Sequence, residues 1–156
     1  MTAQEIIADQ TSRAMEELLK QARRVPADKL TWRPMDEGRS VVSQVAECAV
    51  ISSYMPAILE ALKGPEFDEE SMKAYQSQVE SLDTLDKAEA LLRENTAAAI
   101  EAMLKVSDQD IAREIPFFGP SPWTIHAIMF SHAWNMTYHT GQTCYIQTLF
   151  GDDEMD

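Results

Sequence analysis

Apolar residues recur at helical spacing in four long segments of this 156-residue chain. The first runs from Glu5 to Val25, the second follows Ser40 and continues through Leu59, and the third begins at Asp83 or Thr84 and reaches Val106. The fourth, from Ser121 to Gly151, is apolar around most of its circumference, so we expect it to be buried on nearly every side. No segment shows convincing strand alternation, and four long helices predict an all-α four-helix bundle.

Long crossover connections join these predicted helices. Pro26 to Arg39 is the first connector; the second, Glu66 to Leu82, is acidic and ambiguous, with room for a short helix; Ser107 to Gly119 is an irregular third link. The pattern therefore predicts one domain over residues 1–151, followed by a frayed acidic tail at 152–156.

Two local signals refine the helices. Pro56 lies inside the second apolar pattern and predicts a kink near Met55, because proline lacks the N–H that a helix interior needs. Ser121 is a good N-cap for the last helix, with Pro122 at its first position and Gly151 just past its end.

The formal net charge of -13 disfavours nucleic acid and anionic membranes as partners, because both are polyanions. A membrane span in the last helix is the rival interpretation, but its histidines, Asn135 and Gln142 make insertion costly. The first residues show no basic region followed by an apolar core, and two cysteines form no disulfide framework. We therefore expect a cytoplasmic protein without nucleic acid or membrane partners.

One acidic residue of the second predicted helix lies where the hydrophobic core is expected. Glu47 is the only charged residue between Arg39 and Glu60, and its helical stripe continues through apolar or aromatic positions, Tyr54 among them. A carboxylate in such surroundings needs a cation, a hydrogen-bond donor or a raised pKa. Alternatively, Glu47 lies at a seam of the bundle and reaches water or a basic residue of the first helix.

All three histidines belong to the last helix, and His132, Asn135 and His139 share one of its faces. Residues four apart are separated by about 6 Å along the axis, which allows Asn135 and His139 to share one ion. Residues seven apart are separated by about 10.5 Å, so His132 and His139 can share one only with strain. His132 is better explained as a pocket wall or a satisfied core histidine.

The segment from Trp134 to Gln142, WNMTYHTGQ, resembles the last-helix signature of the DinB-like family, a group of small bacterial proteins regarded as metalloenzymes. Trp32-Arg33-Pro34 followed by Arg39-Ser40-Val41 resembles the family's link into its second helix. The resemblance covers essentially the whole chain in layout and implies a DinB-like four-helix bundle. It also implies a homodimer and a divalent ion held by one histidine of the second helix and two of the last.

The positions that correspond to those ligands are Glu47, Asn135 and His139, and only His139 keeps the family's residue. A single ion held by this oxygen-rich set would favour Mn or Mg over Zn or Ni. The implied function is metal-dependent thiol transfer or hydrolysis on a small electrophilic substrate.

Two alternatives stay open. In one, no metal binds and Glu47 accepts a hydrogen bond from His139. This hydrogen bond could raise the pKa of the histidine. The Glu47–His139 pair could then serve as a general base or as part of a ligand-binding pocket. In the other, side chains fill the cavity and the protein acts through its surface, for example as a dimer.

We also expect His132, Trp32 and Tyr54 to line the pocket. Cysteine catalysis is disfavoured, because neither Cys48 nor Cys144 has a predicted cationic neighbour.

Overall fold

A computed structural model describes residues 1–66 and 68–154 of the chain. Phe67, in the second predicted connector, and the last two residues of the predicted tail lie outside the described residues. The structure is an all-α four-helix bundle with a short crossover helix and a small β-ribbon. Its elements are α1 (Ala3–Arg24), a 3-10 turn (Ala27–Lys29), α2 (Val41–Ser52), α3 (Met55–Ala61), α4 (Glu69–Ser81), α5 (Leu85–Lys105), β1 (Glu114–Ile115), β2 (Trp123–Thr124) and α6 (Ile125–Leu149).

Side-chain caps fix where the long helices begin. Ser40 accepts a hydrogen bond from the Ser43 backbone N–H at the start of α2, and Thr84 accepts one from Lys87 at the start of α5. Each cap satisfies one of the backbone donors that a helix leaves unpaired in its first turn. Both predicted starts are confirmed.

The kink predicted at Pro56 is a complete break between two helices. α2 ends at Ser52, α3 begins at Met55, and Pro56 lies in the first turn of α3, where its missing N–H costs nothing. The break leaves α2 as a 12-residue helix that carries Glu47.

The prediction for the start of α6 was wrong. The helix begins at Ile125 with Thr124 at its N-cap, because Trp123 and Thr124 pair in antiparallel fashion with Glu114 and Ile115. Strands of two residues carry no alternation, so the hydrophobic pattern could not reveal this ribbon.

Two clusters of buried apolar side chains form the core. One joins α1, α2, α5 and the second half of α6, and includes Leu18, Val45 and Met136. The other joins the start of α1, α3, α5, β1 and the first half of α6, and includes Ile58 and Met129.

The expectation that α6 is buried on nearly every side was also wrong. One face of α6 packs on α1 and α2, but the opposite face exposes large apolar side chains, Trp134 and Tyr145 among them. Composition cannot distinguish a helix buried in its own chain from one with an apolar face left open.

The first residue of the predicted tail contacts the bundle. The Asp152 carboxylate pairs with the Arg24 guanidinium of α1, and its backbone N–H donates to the Gln147 carbonyl. The stretch Val41–Ala61 is long and apolar enough to cross a membrane by length and composition alone, but 61% of its most apolar window is buried inside the bundle.

Candidate functional site

An acid from α2 meets an imidazole from α6. The Glu47 Oε1 atom lies 3.1 Å from the His139 Nε2 atom, a hydrogen-bond distance. The His139 side chain is only 1% exposed, whereas the Glu47 side chain is 15% exposed. The carboxylate is therefore the member of the pair that a ligand can reach, and the imidazole lies behind it.

The cation beside Glu47 is Arg39. Its guanidinium forms an ion pair with the Glu47 Oε2 atom, while Oε1 faces His139. Arg39 belongs to the connector immediately before α2, not to α1, where the sequence suggested a basic residue. Both carboxylate oxygens thus have partners, which offsets the cost of partial burial.

His139 has an oxygen near each ring nitrogen. Its Nδ1 atom lies 2.8 Å from the Gln142 Oε1 atom, one helical turn further along α6. Burial is the main cause that lowers the pKa of His139, the Gln142 hydrogen bond opposes that shift, and Arg39 adds to it. Desolvation of the imidazolium therefore outweighs any increase in the His139 pKa from the Glu47 contact.

A neutral imidazole can donate from one nitrogen only. A carboxylate is a stronger acceptor than an amide oxygen, so we assign the single proton to Nε2, which donates to Glu47. His139 thus holds the Glu47 carboxylate from one ring nitrogen, while the Gln142 Oε1 atom lies beside the other.

Asn135 was predicted to be a metal ligand, but in the structure its amide contacts a cysteine. Its amide nitrogen lies 3.5 Å from the Cys48 sulfur, next to Glu47 on α2. Cys48 is fully buried, and desolvation raises the pKa of its thiol well above the usual range. Cys48 is thus a neutral, unreactive neighbour of the site.

The three residues predicted to line a pocket make contacts away from the Glu47–His139 pair. His132 is fully buried, with Nε2 3.1 Å from the Thr96 hydroxyl of α5, and its Nδ1 has no partner among the described residues. Trp32 packs edge-on against Phe150, and Tyr54 is exposed at the start of α3.

A cleft of about 720 Å³ opens above Glu47. Its walls are the connector before α2, the first half of α2, and α4, and none of His132, Trp32 and Tyr54 is among its lining residues. Charged groups of both signs surround it: Arg33, Glu37, Arg39, Glu47, Glu69, Lys73, Glu80 and Asp83. The second connector, ambiguous in sequence, therefore supplies one wall of the cleft as the 13-residue helix α4.

The residues present do not fit the divalent metal site that the resemblance implies. Among the described residues, no group of three or more His, Cys, Asp or Glu side chains could hold an ion. Arg39 already neutralises Glu47 and would repel a second cation, and Asn135 directs its amide nitrogen to Cys48. His139 and Glu47 remain as two close donors, and their role as ligands, with Asn135, stays a prediction.

Sequence reasoning missed Arg39 and Gln142 as parts of the site. Arg39 precedes Glu47 by about two helical turns, beyond the spacing at which helix pairs are normally sought. Gln142 follows His139 by three residues, so helical spacing alone could have indicated this contact.

Comparison with known proteins agrees with the fold. The chain is similar to solved structures of the mycothiol-dependent maleylpyruvate isomerase: 13% identity and a TM-score of 0.69, covering 90% of this chain and 60% of that one. A histidine-to-alanine mutant of that isomerase gives a TM-score of 0.71 with the same identity and coverage. An uncharacterized protein from Clostridium difficile 630 gives 0.73 at 12% identity, covering 94% of this chain and 96% of that one.

The chain thus spans about three fifths of the isomerase's length, and at these identities the likeness shows the fold alone. No curated protein matched the chain. The family model described as the DinB superfamily matches residues 10–143, which include α2, the cleft helix α4 and the Glu47–His139 pair. The chain belongs to the DinB superfamily.

Proposed function

We propose that this protein binds a small polar molecule in the cleft between α2 and α4, at a metal-free site in which Glu47 is the recognition group. The observation that carries the proposal is the position of the Glu47 carboxylate, held by Arg39 and His139 while it faces the cleft. A fixed carboxylate at the floor of a concave site gives orientation and specificity to a ligand that donates a hydrogen bond.

The mixed charge of the cleft defines the class of ligand. Arg33 offers a cationic group for an anionic part of the ligand, and Glu47 offers an acceptor for an amine, hydroxyl or thiol. Lys73 also lines the cleft, but its ammonium is paired with the Glu69 carboxylate. His139 is too deeply buried to touch the ligand and instead positions the carboxylate. The function is thus binding of a small molecule that carries both an anionic group and a hydrogen-bond donor.

Metal-dependent thiol transfer or hydrolysis on a small electrophile is the second candidate. It is supported by the structural likeness to a mycothiol-dependent isomerase and by the 3.1 Å separation of the Glu47 and His139 donors. It requires Arg39 to leave the carboxylate before an ion could bind. A cytoplasmic location and an enzymatic activity belong to this candidate as predictions only.

Amide chemical-shift mapping by NMR tests the binding proposal. The protein would be titrated with a set of amino acids, hydroxy acids and low-molecular-weight thiols. We expect saturable shifts confined to α2, α4 and the connector, lost in Glu47→Ala and kept in Glu60→Ala, an exposed glutamate on α3. Shifts that persist in Glu47→Ala, or none in the cleft, would refute the proposal.

A further inference from the structure

The two walls of the cleft above Glu47 differ in chemistry. On one side, α4 and its C-cap present apolar side chains at spacings of three, four and three residues, which is one face of a helix. These side chains are Met72, Tyr75, Val79 and Leu82. The facing wall, from the connector and the start of α2, is mainly polar and includes Arg33, Arg39, Ser40, Ser43 and Glu47. A ligand that fills the cleft therefore meets charge on one side and an apolar surface on the other.

Half of this apolar face is not used by the core. Val79 and Leu82 pack, partly buried, against the first core cluster, whereas among the described residues Met72 and Tyr75 belong to neither cluster. Met72 is 49% exposed and Tyr75 is half-buried. Burial is the main cause that raises the pKa of Tyr75, and the charge of Arg39 opposes that shift, which places the ring near the ion pair of the cleft. Adjacent apolar side chains on the wall of a concave site are the usual lining for an apolar part of a ligand.

Arg33 is the cation of the cleft that no carboxylate neutralises. Within the described residues its guanidinium forms no ion pair. The other two cations of the cleft do form them, Arg39 with Glu47 and Lys73 with Glu69. An unpaired guanidinium offers N–H donors in a planar arrangement that matches a carboxylate.

A strained turn places Arg33 and Arg39 in the same cleft. Between them, Met35 and Asp36 both have positive φ, 54° and 62°, a conformation that residues other than glycine rarely adopt. Strain of this kind persists where the surrounding structure maintains it, and it is concentrated at ligand sites. The turn therefore supports a role for both arginines in the cleft.

The charge of the cleft limits the charge of the ligand. Five of the eight charged side chains that line it among the described residues are acidic, so a ligand with a net negative charge is repelled. A single carboxylate at Arg33 and an amine at Glu47 together leave a ligand without net charge. Each Glu47 oxygen keeps a lone pair for that amine beside its existing partner.

We propose that the ligand of this cleft is an amino acid, or a zwitterion of the same form, with a large apolar side group. Its amine binds Glu47, its carboxylate binds Arg33, and its side group packs on Met72 and Tyr75. The inference rests on the proposed function and adds to it the apolar group and the absence of net charge.

Four probes that differ by one group test this inference, each titrated into the full chain and followed by amide chemical shifts. Free phenylalanine carries all three groups, alanine lacks the ring, phenethylamine lacks the carboxylate and 3-phenylpropionate lacks the amine. We expect phenylalanine to bind at least about 10-fold more tightly than each of the other three.

Two variants at exposed residues of the cleft separate the contacts. Met72→Ser should lower the affinity for phenylalanine at least about fivefold and leave the affinity for alanine unchanged. Arg33→Gln should lower the affinity for phenylalanine to that for phenethylamine. The matched controls, Leu104→Ser at a similarly exposed residue of α5 and Arg13→Gln on α1, should change neither affinity.

The outcomes separate this inference from the proposed function. Phenylalanine that binds in the cleft no more tightly than alanine, or a Met72→Ser variant equal to Leu104→Ser, would overturn the inference and leave the proposed function standing. An Arg33→Gln variant equal to Arg13→Gln would overturn the inference too. The absence of shifts in the cleft with every probe at its solubility limit would overturn both.

Discussion

The Nε2 atom of His139 on α6 lies 3.1 Å from the Oε1 atom of Glu47 on α2, and Arg39 holds the other carboxylate oxygen. Three side chains from distant parts of the sequence thus satisfy one another where the family resemblance implies a metal. The guanidinium takes the place of an ion as the positive partner of the carboxylate. This substitution is consistent with a bundle that keeps its geometry while its chemistry changes.

A double-mutant cycle should detect the contact between Glu47 and His139. Replacing either residue with alanine leaves the other buried or half-buried without its partner, so Glu47→Ala and His139→Ala should be less than additive, with a coupling energy of about 1–3 kcal/mol. The measurement is urea unfolding of the single and double variants. The pair Glu60→Ala with His139→Ala is the control, and a coupling energy equal to that control would contradict the contact.

The buried His132 should make the protein less stable as the pH falls. Burial lowers the pKa of His132 to about 4, below its ordinary value of 6.5. A depressed pKa in the folded state means that the unfolded chain binds the proton first, so stability is fully present above pH 6.5 and declines between 6.5 and 4, by at most about 1.4 kcal/mol per pH unit.

Urea unfolding between pH 6.5 and 5 measures this effect. His132→Leu should flatten the decline, whereas His126→Leu, at an exposed histidine of the same helix, should leave it in place. An identical pH dependence in the wild type and in His132→Leu would show that His132 does not carry it.

The two cysteines should differ in reactivity. Burial raises the pKa of both thiols, but Cys48 is fully buried whereas Cys144 is partly exposed. Since the thiolate is the reactive form, iodoacetamide should modify Cys144 in the folded protein and Cys48 only on unfolding. Peptide mass spectrometry after timed labelling gives both rates, and equal rates in the native protein would contradict the burial of Cys48.

Gly64→Ala should destabilise the protein although it is a small change. A β-carbon at Gly64 would lie 2.4 Å from the Pro116 carbonyl oxygen, and backbone cannot move aside as a flexible side chain can. We expect a loss of about 1–3 kcal/mol in the free energy of unfolding. Lys63→Ala, at the exposed neighbouring residue, should change it by less than about 0.5 kcal/mol; equal effects would contradict the close approach.

Helical periodicity was sufficient to predict the bundle, whereas the pairing of Glu47 with His139 as candidates came from the resemblance to the DinB-like family. The caps at Ser40 and Thr84 follow from local chemistry and were predictable for that reason. The cleft was not predictable, because α4 has no buried residue among those described and its sequence is that of a solvated segment.

Side-chain contacts that depend on tertiary folding could not be predicted from the sequence either. Arg39 reaches Glu47 only because its connector folds back over the start of α2, and Asn135 turns to Cys48 only because two helices meet there. The exposed face of α6 could not be predicted for a different reason. An apolar helix has the same sequence pattern whether its own chain or a second copy covers it.

Metal analysis of the purified protein tests the central claim most directly. The wild type would be incubated in turn with Mn, Mg, Zn and Ni, desalted and measured by mass spectrometry of the elements, with Glu47→Ala, Asn135→Ala and His139→Ala beside it. Because Arg39 already pairs with Glu47, we expect less than stoichiometric metal in the wild type and no difference in the variants. One ion per chain that is lost in Glu47→Ala and His139→Ala would contradict a metal-free site.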